Sequence, residues 1–149
     1  KEGDLAPDFE LLTDENQPLS LASLKGKRVV LFFYPKADTS GCTTEACGFR
    51  DAAPRFDGLH AVVLGISPDK PSAQAKFRKK YGLPYSLLCD TEHQVAEAYG
   101  VWKEKSMYGR KYFGIERTTF VIGADGRIQK IFSKAKPAGH AAEVAAVLT

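Results

Sequence analysis

The chain has 149 residues, 44% of them hydrophobic, and this size and composition predict one globular domain, residues 1–149, with one core. Its 21 basic and 18 acidic residues are scattered and give a net charge of +3, which excludes a strong field for nucleic acid or anionic lipid. The longest apolar run, residues 29–34, is far shorter than the roughly 18 residues that a membrane-spanning helix needs, so we expect a soluble protein.

The predicted elements begin with a small hairpin, which spans residues 8–24 and turns near Asp14-Glu15-Asn16. Apolar runs bounded by turn residues then alternate with helical patterns. In chain order the sequence predicts a strand at 28–34, a helix at 43–53, a strand at 60–66, a helix at 72–81, a strand at 85–89 and a helix at 92–99. This alternation is typical of a partly parallel α/β sheet with helices on both faces.

The last third of the chain opens with residues 101–114, VWKEKSMYGRKYFG, which show neither helical nor strand periodicity. We predict a long loop or a loose helix end there; nucleic-acid stacking would need a wider positive field. Strands at 118–122 and 127–132 flank the tight-turn sequence Gly123-Ala124-Asp125-Gly126, so we expect them to pair antiparallel and the sheet to be mixed. An amphipathic helix at 138–148 closes the chain.

The three cysteines are an odd number and lack the spacing of a secreted disulfide framework. A reducing compartment fits better, so we expect a cytoplasmic protein. A structural zinc site needs four Cys or His ligands in paired clusters, whereas His60, His93 and His140 lie apart from the cysteines in sequence. We therefore expect no metal and no other cofactor.

Cys42 lies where a predicted strand ending in FFYP passes through KADTSG into a helix opening with CTTEAC. The first turn of a helix presents unpaired N–H groups and the positive end of its dipole, so we expect the thiolate form of Cys42 to be favoured. Thr39 and Ser40 can cap this helix, Gly41 permits close approach of a small ligand, and Pro35 ends the strand. The alternative is a buried structural thiol, for which a polar, glycine-containing loop is a poor setting.

The segment PKADTSGCTTEACGFRD resembles the active-site segment of peroxiredoxins, in the bacterioferritin comigratory protein or peroxiredoxin Q branch. The pattern Pro-x-x-x-Thr-x-x-Cys is present as Pro35, Thr39 and Cys42. The resemblance continues through most of the chain, in GDLAPDFELL, VVLGIS, SAQAKF, YSLLCD and ERTTFVIGADGRI. It implies a thioredoxin-like fold with an N-terminal β-hairpin extension and a thiol-specific peroxidase with antioxidant activity.

The resemblance also implies roles for individual residues. Cys42 would be the peroxidatic cysteine, and Pro35 and Thr39 would bind the peroxide. Arg117, in ERTTFVIG, would bind substrate and stabilise both the thiolate and the charge that develops as the O–O bond breaks. Glu45 would orient Arg117. From the residues alone, an ordinary surface salt bridge is the simpler account of Arg117.

Cys47 follows Cys42 by five residues, unlike the Cys-x-x-Cys of thioredoxin-type disulfide exchangers. An intact helix places Cα atoms at this spacing roughly 8 to 9 Å apart, whereas a disulfide needs less than about 7 Å. If Cys47 resolves the sulfenic acid of Cys42, the helix must therefore unwind in each cycle. The resemblance implies thioredoxin or glutaredoxin as the reductant, and a disulfide within one chain favours a monomer over a dimer.

Cys89 ends a predicted buried strand, where it either packs or serves as an alternative resolving cysteine. Two other functions remain open from the sequence: a thioredoxin-like protein disulfide reductase, which lacks its expected Cys-x-x-Cys, and a non-catalytic thioredoxin-fold interaction module. A non-catalytic module does not require Thr39, Cys42 and Arg117 together, which favours the peroxidase.

Overall fold

The computed structural model describes residues 1–148, which form nine β-strands and five α-helices. The strands are β1 Glu10–Thr13, β2 Pro18–Ser20, β3 Arg28–Phe33, β4 Ala61–Ser67, β5 Leu87–Cys89, β6 Trp102–Met107, β7 Arg110–Ile115, β8 Thr118–Ile122 and β9 Ile128–Phe132. The helices are α1 Ser40–Asp51, α2 Ala53–Gly58, α3 Pro71–Tyr81, α4 Gln94–Ala98 and α5 His140–Leu148, with a 3-10 turn at Ala22–Leu24.

Seven strands form one mixed sheet in the order β2-β1-β5-β4-β3-β8-β9. Strands β3, β4 and β5 are parallel to one another, whereas β8 pairs antiparallel with β3 and β9 antiparallel with β8. The N-terminal hairpin joins this sheet because β1 pairs antiparallel with β5. The mixed sheet, the N-terminal hairpin and the β8–β9 hairpin confirm the predictions from sequence.

Helices cover both faces of the sheet, as predicted. Helices α1, α2, α3 and α5 pack on one face and α4 on the other. Phe32 of β3 stacks on Phe49 of α1 with ring centroids 4.6 Å apart, and this contact fixes α1 against the central strand. Each such fully buried aromatic side chain contributes roughly 1.5–3 kcal/mol through its removal from water. The first helix is therefore anchored at its C-terminal half, while its N-terminal turn lies at the end of β3.

The loop between β3 and α1 is held by the end of α3. Asp38 has φ of 61°, a left-handed conformation that costs most residues energy but that Asp tolerates. Its carboxylate accepts hydrogen bonds from Lys80 Nζ at 2.9 Å and Tyr81 Oη at 2.7 Å. These bonds lower the pKa of Asp38 and fix the loop that leads into α1.

The prediction of a loop or loose helix end at residues 101–114 is wrong. Strands β6 and β7 form a separate antiparallel hairpin, whose tip, Tyr108-Gly109, has positive φ at both residues. Most of its residues are exposed, so no buried face imposes a period of two on the sequence. The hairpin is stabilised instead by stacking: the ring centroid of Trp102 lies 4.0 Å from that of His93 and 6.4 Å from that of Phe113.

Smaller differences concern the ends of elements. The helix predicted at 43–53 begins earlier, at Ser40, and ends at Asp51, after which α2 follows. The closing helix begins at His140 rather than at residue 138. No helix in the described part of the chain is both long and apolar enough to cross a membrane.

Candidate active site

Cys42 lies in the first turn of α1 and is 1% exposed. Its neighbours on one side are apolar, because it belongs to the core cluster between α1 and the sheet. The backbone before it is extended at Thr39, whose carbonyl accepts the first helical hydrogen bond from Thr43 N–H at 2.8 Å. The sulfur is therefore placed where the helix presents its free N–H groups and the positive end of its dipole.

Arg117 provides a cation at the sulfur. It lies between β7 and β8, and its Nη2 atom is 3.1 Å from Cys42 Sγ. Its Nη1 atom donates to Glu45 Oε1 at 2.7 Å. Only 16% of the Arg117 side chain is exposed, so water screens these interactions weakly. The contact places a positive charge and a hydrogen-bond donor directly beside the sulfur.

Gly41 makes this approach sterically feasible. A Cβ atom added at position 41 would lie 3.3 Å from Arg117 Nη2. That contact is tighter than side chains normally accept, so a larger residue at position 41 would displace the guanidinium by a few tenths of an ångström.

Glu45 is the third member of the cluster, one turn after Cys42 on α1. Its side chain is fully buried. Burial raises the pKa of the Glu45 carboxyl to about 7, against the opposing effect of Arg117. The single guanidinium thus bridges a thiol and a carboxyl from neighbouring turns of one helix, an arrangement that preorganises its hydrogen-bond donors.

The predicted side-chain caps are absent at the start of α1. Thr39 is the N-cap residue, but its Oγ1 atom makes no capping bond and instead donates to the Lys36 carbonyl at 2.9 Å. Ser40 lies inside the helix and so is not the cap. The exposed Thr39 hydroxyl oxygen can still accept a hydrogen bond from a small ligand. Pro35 is half-buried and follows the end of β3, as predicted.

Cys47 is half-buried and lies on the same uninterrupted helix as Cys42. All three cysteines are free thiols. Between Cys42 and Cys47, the helix is tied to the rest of the fold by Tyr85, whose hydroxyl donates to the Ala46 carbonyl at 2.7 Å. At helical geometry the two Cα atoms stay roughly 8 to 9 Å apart, so a disulfide between them requires unwinding.

Cys89 lies elsewhere, at the end of β5, and β4 separates this strand from β3. Burial raises the pKa of the Cys89 thiol to about 12, and the charges of Asp14 and Asp69 add to this effect. Such a thiol is protonated at neutral pH, and this environment is unfavourable for a nucleophile.

Two further side chains near this cluster were not predicted from the sequence. Lys105 of β6 lies near the cluster. Its pKa is lowered, first by burial and then by the positive charge of Arg117. His140 of α5 is 1% exposed, and its Nε2 atom is 3.9 Å from Glu45 Oε2. A local signal for His140 exists in its spacing from Glu143, one helical turn later, whereas nothing in the sequence indicates Lys105. Within residues 1–148 no group of three or more His, Cys, Asp or Glu side chains is arranged to hold a metal ion.

The chain is similar to a known protein family, to relatives of known name and to solved structures. Residues 3–131 match the model of the AhpC/TSA family. A putative peroxiredoxin bcp of Coxiella burnetii is 53% identical over 142 residues, covering 95% of this chain and 94% of the relative. Peroxiredoxin Bcp of Bacillus subtilis is 50% identical over 141 residues, covering 95% and 90%. A solved structure of the bacterioferritin comigratory protein of Xanthomonas campestris superposes with a TM-score of 0.90 at 36% identity, covering 94% of this chain and 89% of that one.

Proposed function

The chain belongs to the AhpC/TSA family, as a thioredoxin-fold peroxiredoxin of the Bcp branch, and from this we propose that it reduces peroxides through Cys42 and closes the resulting disulfide with Cys47. The observation that carries the proposal is the contact of Arg117 with both Cys42 Sγ, at 3.1 Å, and Glu45, at 2.7 Å. A structural thiol in a core has no need of a buried guanidinium.

The first chemical step is attack of the Cys42 thiolate on a peroxide oxygen. The S–O bond forms as the O–O bond breaks, Cys42 becomes a sulfenic acid, and the leaving oxygen takes up a proton to give water or an alcohol. Arg117 stabilises the thiolate beforehand and the negative charge on the leaving oxygen during the step. Thr39 accepts a hydrogen bond from the peroxide, and Pro35 shapes the mouth of the site.

The second step joins Cys42 and Cys47. The Cys47 thiol condenses with the sulfenic acid, one water molecule leaves, and an S–S bond forms. Because both residues lie on α1, this step requires the turns between them to unwind, which breaks the Arg117–Glu45 ion pair. A dithiol then reduces the disulfide by thiol exchange.

The substrates, reductant and setting follow from this chemistry. The Xanthomonas relative is described for its alkyl peroxide reduction activity, and we propose hydrogen peroxide and organic hydroperoxides as substrates here. Thioredoxin or a glutaredoxin is the proposed reductant.

Since both reacting cysteines belong to one chain, a monomer is sufficient. A cycle that depends on reduced thiols suits a reducing compartment, which supports the cytoplasm.

The test is peroxide turnover coupled to thioredoxin, for the wild type and for Cys42→Ser, Cys47→Ser and Cys89→Ser side by side. Loss of all reaction in Cys42→Ser, loss of the disulfide in Cys47→Ser and unchanged turnover in Cys89→Ser are expected. Full turnover in Cys42→Ser would refute the proposal. Insulin reduction, measured on the same samples, separates a peroxidase from a protein disulfide reductase.

A further inference from the structure

His140 joins the buried active-site cluster to the surface. Its Nε2 atom lies 2.7 Å from Thr119 Oγ1 and 3.9 Å from Glu45 Oε2. Its Nδ1 atom lies 2.8 Å from Glu143 Oε1, on the next turn of α5. The imidazole is fully buried, whereas the Glu143 side chain is 56% exposed. The ring therefore connects the buried Glu45 to a carboxylate at the surface.

Glu45 presents an unusual polar atom to this ring. Its Oε1 atom binds Arg117, but its Oε2 atom is buried and has no hydrogen-bond partner among the described residues. An ionised, buried oxygen without a partner costs free energy, which a nearby positive charge reduces. Among the residues that the structure describes, the titratable group other than Arg117 that lies near Oε2 and can carry a positive charge is the imidazole of His140.

We propose that His140 is a positioning residue for the peroxidase reaction: it binds the proton that Glu45 would otherwise take up as the pH falls, and so keeps Glu45 ionised against Arg117. The proposal rests on the proposed role of Cys42, because Arg117 acts on that sulfur. The charged or titratable groups that face Glu45 are Arg117, His140 and Tyr85, and those that face His140 are Glu45 and Glu143.

The hydrogen bonds around the ring fix which nitrogen titrates. Glu143 is an acceptor when ionised, so Nδ1 carries a hydrogen in both protonation states of the ring. Nε2 then accepts from the Thr119 hydroxyl when the ring is neutral, and carries the added proton when it is charged. The positive charge thereby appears on the side of the ring that faces Glu45 Oε2.

Without this imidazole, the proton would go to Glu45 itself. Burial raises the pKa of Glu45 to about 7, so this carboxyl is close to gaining a proton at neutral pH, and loss of a neighbouring positive charge favours its neutral form. The charge-assisted bond to Arg117 would then become a weaker neutral one, and the guanidinium would be held less firmly at Cys42. The effect of removing His140 is therefore expected below neutral pH and not above it.

His140→Gln tests this, because glutamine keeps a hydrogen-bonding group near Thr119 but does not titrate. The rate constant for oxidation of Cys42 by hydrogen peroxide is measured at pH 6 and pH 8, with His60→Gln as the control for loss of an exposed histidine. We expect His140→Gln to react within about twofold of the wild type at pH 8 and about tenfold more slowly at pH 6. An equal deficit at both pH values would overturn the proposal, because a packing defect does not depend on the charge of Glu45.

A second measurement does not depend on activity or on folding of His140→Gln. The ¹⁵N signals of the His140 ring are followed against pH in the reduced wild type and in Glu45→Gln. We expect the titration midpoint to move to lower pH by about one unit in Glu45→Gln, because the carboxylate that favours the charged ring is lost. An unmoved midpoint would refute the coupling. If the wild type instead shows this coupling but no peroxidase activity, the proposed function fails and the proton sharing stands.

Discussion

Tyr85 holds α1 between the two cysteines that must meet, since its hydroxyl donates to the Ala46 carbonyl at 2.7 Å. This bond connects the loop before β5 to the segment of helix that must unwind before Cys47 can reach Cys42. A hydrogen bond that is lost on unwinding stabilises the wound helix and slows disulfide formation.

Tyr85→Phe is therefore expected to accelerate formation of the Cys42–Cys47 disulfide. Removal of one such hydrogen bond lowers the free energy of unwinding by about 1 kcal/mol. This corresponds to roughly two- to tenfold faster disulfide formation after peroxide addition. Acid quenching followed by mass analysis of the non-reduced protein gives the rate. Tyr112→Phe, on the exposed face of the β6–β7 hairpin, is the control. An unchanged rate in Tyr85→Phe would mean that the helix does not unwind at Ala46.

Gly41→Ala tests whether the approach of Arg117 to Cys42 sets reactivity. The added Cβ would lie 3.3 Å from Nη2, so the guanidinium must shift by a few tenths of an ångström from its position at the sulfur. We expect oxidation by hydrogen peroxide to slow by about tenfold. Gly48→Ala is a matched control on the same helix, because its Cβ would meet Ala141 at an ordinary 3.7 Å. Equal oxidation rates in the two variants would show that a displacement of Arg117 does not change the reactivity of Cys42.

Cys89 is predicted to stay unreactive. Its folded pKa, raised by burial to about 12, lies above the unfolded value, so the native state retains a proton that the unfolded state releases. The stability contributed by the neutral thiol is fully present below about pH 8.5 and is lost as the pH rises toward 12. At pH 8 iodoacetamide should therefore label the half-buried Cys47 well before Cys89, as peptide mapping can show. Rapid labelling of Cys89 in the folded protein would contradict this.

The part of the fold that could be predicted from sequence is the part that burial controls. Strands β3 and β4 are covered on both faces, so their sequences are continuous apolar runs bounded by turn residues. The β6–β7 hairpin could not be predicted in this way. Its stability depends on Trp102 stacking on His93, a residue outside the hairpin, and no local pattern reports such a contact.

The same distinction applies to the site. The position of Cys42 at a helix start follows from its neighbours in sequence. The Arg117–Glu45 pair joins residues 72 positions apart, and only the resemblance to a known family suggested it. No local pattern relates His140 to Glu45, because this relation arises from the packing of α5 against α1. Long-range polar contacts of this kind require the fold before they can be recognised.

Arg117→Lys is the strongest test of the bridging guanidinium. Lysine retains the charge but presents it at one point, so it cannot contact the Cys42 sulfur and the Glu45 carboxylate in the geometry that Nη2 and Nη1 provide. We expect the rate of oxidation by hydrogen peroxide to fall by about 10²–10³, the range for removal of one preorganised donor from an active site.

The double variant Arg117→Lys/Glu45→Gln distinguishes a bridge from two independent contacts. If Glu45 acts only by orienting Arg117, removing it adds little once the guanidinium is gone, and the double variant should react at nearly the rate of Arg117→Lys alone. If the rate losses of the two single variants instead multiply in the double variant, Glu45 has a role separate from orienting Arg117. Arg50→Lys, near the opposite end of α1, serves as the control, because Arg50 bonds to Asp51 and the Tyr81 carbonyl and not to the reacting sulfur.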